Sequence, residues 1–146
     1  MNRLSLEQLG WNESFAEAMT ALSRADLVPA RVIAEHRGLY RVSGASGEMP
    51  AEVTGRLMFL AEERLDYPVV GDWVAARLLD RGELAVIHSI LPRRTVLARK
   101  QAGKKLEGQA IAANIDVIFI VIGLDHNFNL NRAERYLAVA AGSGAE

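Results

Sequence analysis

The sequence predicts a mainly β protein: a small five-stranded barrel with an amino-terminal helix, followed by the first strand and helix of an α/β domain. Three observations support this prediction. Five short β-type segments separated by turn residues fill residues 28–90. Residues 91–105 then carry six Lys or Arg and no acidic residue. A continuous apolar run, Val117–Ile122, precedes a helical pattern at the carboxyl end.

Residues 1–27 predict a helical segment that covers one end of the barrel. Apolar residues recur at roughly helical spacing here, with interruptions at Gly10 and Asn12. We expect a short helical turn at Ser5–Leu9 and a helix from about Glu13 to Ser23, capped by Asn12. A docking role is the alternative, and packing against the barrel is the favoured interpretation.

Residues 28–90 predict the barrel itself. Turns at Arg37-Gly38 and Asp80–Gly82 and a small-residue loop at Ser43–Gly47 separate the strands, and residues 57–68 can hold one helical turn. This inventory matches an OB-fold, although an SH3-like barrel has a similar one. The predicted strands are Pro29–His36, Leu39–Ser43, Met49–Leu57, Val69–Leu79 and Glu83–Ile90.

An OB-type barrel predicts a nucleic-acid contact, because such barrels bind single strands with aromatic platforms and cationic grooves. Four residues of the barrel are candidates: Arg37, Tyr40, Arg41 and Arg56. In the alternative interpretation Tyr40 lies at the edge of the core and the arginines are solvated. We expect Trp73 in the barrel core rather than on a stacking platform.

Residues 91–113 predict a basic connector. The whole chain has a net charge of −1, but all six charged residues of the stretch 91–105 are cationic. A segment whose charged side chains are all positive favours a contact with phosphate. The alternative is a solvated linker, which does not require charges of a single sign. We also expect protease sensitivity here. The candidate contacts are Arg93, Arg94, Arg99, Lys100, Lys104 and Lys105.

Residues 114–146 predict the start of an incomplete α/β domain. The apolar run predicts a strand at Ile115–Ile122 that is buried on both faces. Asn131 and Glu134 resemble a capping box that begins a helix. A parallel strand needs a neighbour, so we expect the domain to be unfinished. The predicted apolar face of the helix carries Ala133, Tyr136, Leu137, Ala140 and Ala141.

Several kinds of site have no sequence support. The chain has no cysteine, which excludes disulfides and cysteine-bound zinc within it. Gly103–Lys105 does not fit a phosphate loop, and the run from Asp125 lacks the glycine of a calcium loop. We therefore predict no catalytic, cofactor or metal residue in this chain. We also expect a cytoplasmic monomer with no membrane partner, because no targeting or spanning segment is visible.

Four blocks of sequence resemble one protein family. They are PVVGDWV (Pro68–Val74), ILPRRTVLARK (Ile90–Lys100), IAANIDVIFIV (Ile111–Val121) and FNLNRAERYL (Phe128–Leu137). Together they resemble the circularly permuted GTPases of the RsgA (YjeQ or EngC) family, which act in small ribosomal subunit maturation. The resemblance implies an amino-terminal OB-fold, then a P-loop GTPase-like domain and a zinc-binding domain.

The resemblance also implies a function for a longer parent. It implies GTP, magnesium and zinc as cofactors of that parent, with the small ribosomal subunit and its ribosomal RNA as partners. The chain has no match for the Asn-Lys-x-Asp motif, the phosphate loop, the switches or the zinc ligands. The sequence is therefore expected to be the RNA-binding part of a GTPase, and this part alone is not expected to hydrolyse GTP. The alternatives are a stand-alone nucleic-acid-binding OB module and a protein-binding scaffold.

Overall fold

The computed structural model describes residues 4–100, 108–126 and 128–145. Three α-helices lie in these ranges, together with two single-turn 3₁₀ helices at Arg64–Asp66 and Asp80–Gly82. The α-helices are Glu13–Ala21 (α1), Gly55–Leu60 (α2) and Leu130–Ala141 (α3). The strands are Val28–His36 (β1), Leu39–Gly44 (β2), Gly47–Val53 (β3), Trp73–Leu79 (β4), Leu84–Ile90 (β5), Val96–Lys100 (β6) and Gly108–Ala113 (β7).

The first five strands close into a barrel in the order β1-β2-β3-β5-β4. Neighbouring strands are antiparallel except β3 and β5, which run parallel. Helix α2 lies between β3 and β4 in the chain, as in an OB-fold, so the predicted barrel is confirmed. Strand β3 is shorter than predicted because Thr54 caps α2, its hydroxyl accepting from Leu57 N at 3.2 Å.

Two hydrophobic cores hold the barrel and its amino-terminal cover. Inside the barrel, residues such as Val32, Val42 and Ile87 are at most 1% exposed. On the other face of β4, Trp73 packs with Phe15 of α1 and with Leu91. Asn12 caps α1 as predicted. Helix α1 therefore packs against the barrel, and Trp73 is buried in this second core rather than inside the barrel.

Strands β6 and β7 form an antiparallel hairpin within the predicted basic connector. The hairpin joins the barrel where Ala113 N donates to Val70 O at 2.9 Å. Gly71 makes this approach possible, since a Cβ at this position would lie 2.0 Å from Ala113 O and its φ is +93°. Gly82 has nearly the same φ, but a Cβ there would meet nothing within 4 Å. The connector is thus attached to the barrel and is not a plain linker.

The predicted strand Ile115–Ile122 is wrong. Strand β7 ends at Ala113, and Asn114 turns the chain with a φ of +54°. Phe119 and Val121 are 86% and 90% exposed. A strand needs a partner for its backbone hydrogen bonds, and no strand among the described residues pairs with this segment.

Helix α3 forms where the sequence predicts it, with two differences. Its N-cap is Asn129 rather than Asn131, because the Asn129 side-chain oxygen accepts from Arg132 N at 3.1 Å. Its predicted apolar face is largely unpacked, with Leu137 60% exposed. Among the described helices none is long and apolar enough to cross a membrane.

Candidate nucleic-acid interface

A buried ion pair joins the barrel to the connector. The Asp72 side chain is completely buried, and its two oxygens accept from Arg93 Nε at 2.8 Å and Arg93 Nη2 at 2.7 Å. Asp72 also accepts from Val69 N at 2.8 Å. Arg93 further donates to the carbonyl oxygens of Leu65 and Tyr67, at 2.7 and 2.9 Å. We refer to this pair and the groups bonded to it as the junction.

Arg93, a predicted phosphate contact, is engaged within the protein in this structure. Its side chain is only 15% exposed, and each of its three guanidinium nitrogens already donates to a protein oxygen. A phosphate that took the place of the Asp72 carboxylate would leave a buried charge without its partner, which is strongly unfavourable.

Arg31 extends the junction to the amino-terminal segment. Its guanidinium donates to the carbonyl oxygens of Leu9, of Gly71 at 3.3 Å, and of Asn114 at 3.0 Å. The guanidinium carbon also lies 5.9 Å from the centre of the Trp73 ring. Burial lowers the pKa of Arg31, an effect that the nearby Asp116 opposes. Three separate parts of the chain thus meet at one side chain.

Asn114 and Arg94 complete the junction on the connector side. Asn114 is 4% exposed; its Nδ2 donates to Gly71 O at 3.1 Å, and its Oδ1 accepts from Arg94 N at 2.9 Å. The Arg94 side chain forms an ion pair with Asp116, and both side chains are exposed. The exposed Arg94 side chain is therefore partly accessible to a ligand, whereas the Arg94 backbone N–H is hydrogen-bonded to Asn114 in the junction.

The remaining cations of the basic segment begin at the end of β6 and continue beyond it in the sequence. Arg99 pairs in register with Gln109, and Lys100 pairs with Gly108. Lys104 and Lys105 lie outside the described residues, in the seven residues that connect the two strands. In the sequence, the stretch from Arg99 to Lys105 contains four cations, with Glu107 as the nearest acid.

The barrel candidates lie in different places. Arg37 is exposed in the β1–β2 turn. Arg41 is exposed on β2, and its Nη2 lies 3.5 Å from Glu48 Oε2 of β3. Arg56 is exposed in the first turn of α2. The OB-fold uses its β1–β2 and β4–β5 loops and its β2–β3 face to bind oligonucleotides. Arg81, which the sequence analysis named only as part of a turn, is also exposed in the β4–β5 turn.

Tyr40 is not available as a stacking platform in this structure. It is 5% exposed within the barrel core, and burial is the main reason that its pKa is raised. A base could stack on its ring only if the barrel opened. The alternative interpretation, in which Tyr40 is a core residue, is the one that the structure shows.

The comparisons with known proteins agree with the architecture. A family model described as RsgA GTPase matches residues 90–146. A relative from Opitutus terrae, named small ribosomal subunit biogenesis GTPase RsgA, is 42% identical over 98% of this chain and 41% of its own length. A protein of the same name from Syntrophotalea carbinolica is 39% identical over 97% of this chain and 40% of its own length.

Two solved structures are similar in fold. YjeQ from Thermotoga maritima matches with a TM-score of 0.57 and 18% identity, over 82% of this chain and 39% of that one. YloQ, a circularly permuted GTPase, matches with a TM-score of 0.55 and 16% identity, over 84% of this chain and 39% of that one. The chain spans about two fifths of the length of the two curated relatives.

The two neighbouring arginines of the junction should differ sharply in their contribution to stability. Arg93→Ala leaves the Asp72 carboxylate buried without its partner, so we expect a loss of about 3–5 kcal/mol in the free energy of unfolding. Arg94→Ala removes only an exposed ion pair and should cost less than about 1 kcal/mol. Urea denaturation followed by circular dichroism measures both losses. Equal, small losses would show that Asp72 does not depend on Arg93.

Proposed function

The chain belongs to the RsgA GTPase family, and we propose that it is the RNA-facing, amino-terminal part of a GTPase that binds the small ribosomal subunit during its maturation. The observation that carries this proposal is the 42% identity over 98% of the chain to a relative named for small-subunit biogenesis. The closed five-stranded barrel supports it, because barrels of this type bind oligonucleotides. We also propose that the protein is cytoplasmic and monomeric and binds no membrane, which agrees with a small ribosomal subunit as its partner.

GTP hydrolysis is proposed for the full-length protein and not for this chain. The chain covers 41% of its relative from Opitutus terrae and lacks the nucleotide-binding motifs of GTPases. We place GTP and magnesium, and also zinc, in the remaining part of the longer protein. The match of residues 90–146 to the RsgA GTPase model favours this assignment over a stand-alone nucleic-acid-binding module.

We propose the end of the β6–β7 hairpin as the principal RNA contact, with Arg37 and Arg41 of the barrel as secondary contacts. A stretch of one charge attracts phosphate, and binding releases the counterions that surround the RNA. The junction supports this assignment because it fixes the base of the hairpin on the barrel through Ala113 and Asn114. We leave Arg93 out of the proposed contacts because its guanidinium is engaged with Asp72 in the junction.

The salt dependence of RNA binding tests the hairpin assignment. The ligand is small-subunit ribosomal RNA without proteins, and the variant replaces Arg99, Lys100, Lys104 and Lys105 by Ala. Each phosphate contact contributes roughly 0.7–0.9 to the log–log slope of affinity against salt, so loss of all four should reduce the slope by roughly 3. Fluorescence anisotropy at several salt concentrations measures the slope.

The control replaces Arg132 and Arg135 by Ala, because these cations are exposed on α3 and lie outside the basic segment. We expect this control to retain the wild-type slope. The unfolding midpoint of both variants, compared with the wild type by urea denaturation, verifies that the fold is retained. If the hairpin variant and the control have the same slope and affinity, the hairpin cations do not contact RNA.

The chain itself should not bind guanine nucleotides. Nucleotide recognition and phosphate binding both require motifs that are missing from this sequence. Titration with a fluorescent GTP analogue, with magnesium present, should therefore give no saturable signal. Saturable binding at micromolar concentration would place the nucleotide site within these residues and would contradict the assignment.

A further inference from the structure

A small cavity lies within the junction, where the amino-terminal segment, the barrel and the connector meet. Its volume is about 190 Å³. This is well above the roughly 30 Å³ that one water molecule occupies in the liquid, and below the roughly 300–1,000 Å³ of sites for drug-sized ligands. The size therefore suits a small ion. We call this space the junction cavity; its lining includes Gly10, Trp11, Arg31, Trp73, Arg94 and Asp116.

Arg31 brings a positive charge to the junction cavity that its own hydrogen bonds do not neutralise. The three bonds that its guanidinium makes to described residues end on carbonyl oxygens, those of Leu9, Gly71 and Asn114. A carbonyl oxygen satisfies a donor but carries no full negative charge. A guanidinium has five N–H groups, so these bonds leave two donors for a further acceptor.

The other charged groups of the lining do not balance the charge of Arg31. Arg94 and Asp116 form an ion pair with each other, so two guanidinium groups share one carboxylate. Burial lowers the pKa of Arg31; Asp116 opposes this effect and Arg94 adds to it, which shows that both charges act on Arg31. The Asp116 side chain is 76% exposed, so water and salt screen its charge. One positive charge of the lining therefore lacks a counter-charge.

The wall of the junction cavity also contains a buried donor without an acceptor. Trp73 is completely buried, and its Nε1–H has no hydrogen-bond partner among the described residues. The Trp11 ring makes a T-shaped contact with the Trp73 ring, with 4.7 Å between the ring centres. Excess positive charge and unused N–H donors together favour a ligand that is negative and carries several acceptor oxygens.

We propose that the junction cavity binds a small free oxyanion of the phosphate type. Its oxygens accept from the guanidinium groups of Arg31 and Arg94, because planar guanidinium groups match the oxygen spacing of phosphate and carboxylate. The ion supplies the negative charge that Asp116 alone does not supply. This site is separate from the stretch Arg99–Lys105 that we propose as the RNA contact, and it does not depend on the proposed function.

The fluorescence of the chain reports binding in the junction cavity. The chain has two tryptophans, Trp11 and Trp73, and both line this cavity. The probe is sodium phosphate at neutral pH, with sodium chloride at the same ionic strength as the reference. We expect phosphate to give a saturable change in tryptophan emission and chloride to give none.

Two substitutions at the junction cavity should shift the phosphate affinity in opposite directions. Arg94→Ala removes a donor and a positive charge, so it should weaken phosphate binding by about fivefold or more. Asp116→Asn removes the competing carboxylate, so it should tighten phosphate binding by about twofold or more. Arg31 is kept in both variants because it also holds three carbonyl oxygens of the junction.

The matched control is Arg132→Ala, which changes the net charge of the chain by the same amount as Arg94→Ala. Arg132 is exposed on α3 and does not line the cavity. We expect this variant to bind phosphate with the wild-type affinity. Urea denaturation without phosphate verifies that each variant keeps the fold.

Each other outcome overturns a stated part of the proposal. The same response to phosphate and chloride, or no saturable response, would overturn the site. An equal loss of affinity in Arg94→Ala and Arg132→Ala would mean that phosphate responds to net charge alone, and would also overturn it. Loss of the phosphate response in saturating small-subunit RNA would assign the site to an RNA phosphate and overturn the free ion. Failure of the proposed RNA contact would leave the site in place, because the titration itself contains no RNA.

Discussion

The geometry of the connector depends on the ion pair between Asp72 and Arg93. The Asp72 carboxylate is completely buried in the turn before β4, and the guanidinium that satisfies it comes from the chain after β5. Burying two charges is costly, and this pair is tolerated because further backbone groups satisfy both partners. The pair therefore selects one path for the chain that leaves the barrel. Gly71 permits the same path, since its lack of a Cβ leaves room for the Ala113 carbonyl.

This constraint divides the basic segment into two parts with different roles. The Arg93 guanidinium forms the buried ion pair of the junction, and the Arg94 side chain forms an exposed ion pair with Asp116. The other four cations, Arg99, Lys100, Lys104 and Lys105, are the ones that we propose as RNA contacts.

Local signals predicted the barrel, but long-range contacts could not be predicted in the same way. Turn chemistry at Arg37-Gly38 and the cap at Asn12 depend on neighbouring residues, and both agree with the structure. The pairing of Arg93 with Asp72 joins residues 21 positions apart, and a run of six cations does not reveal which of them meets a carboxylate. The Ile115–Ile122 prediction failed because apolar composition indicates a strand, whereas a strand also requires a partner. The cap of α3 differed because Asn129 and Asn131 are both suitable residues, and only the helix register distinguishes them.

Native-state hydrogen exchange measures most directly whether the junction makes the barrel and the connector one unit. The informative amides are those of Leu91, Ala113 and Asn114, which donate to Trp73 O, Val70 O and Thr95 O. We expect them to exchange with the same opening free energy as the amides of β2 inside the barrel, because cooperative units open together. Exchange of the three junction amides at a much lower opening free energy than the β2 amides would show that the connector opens independently, and would contradict the central role of the Asp72–Arg93 pair.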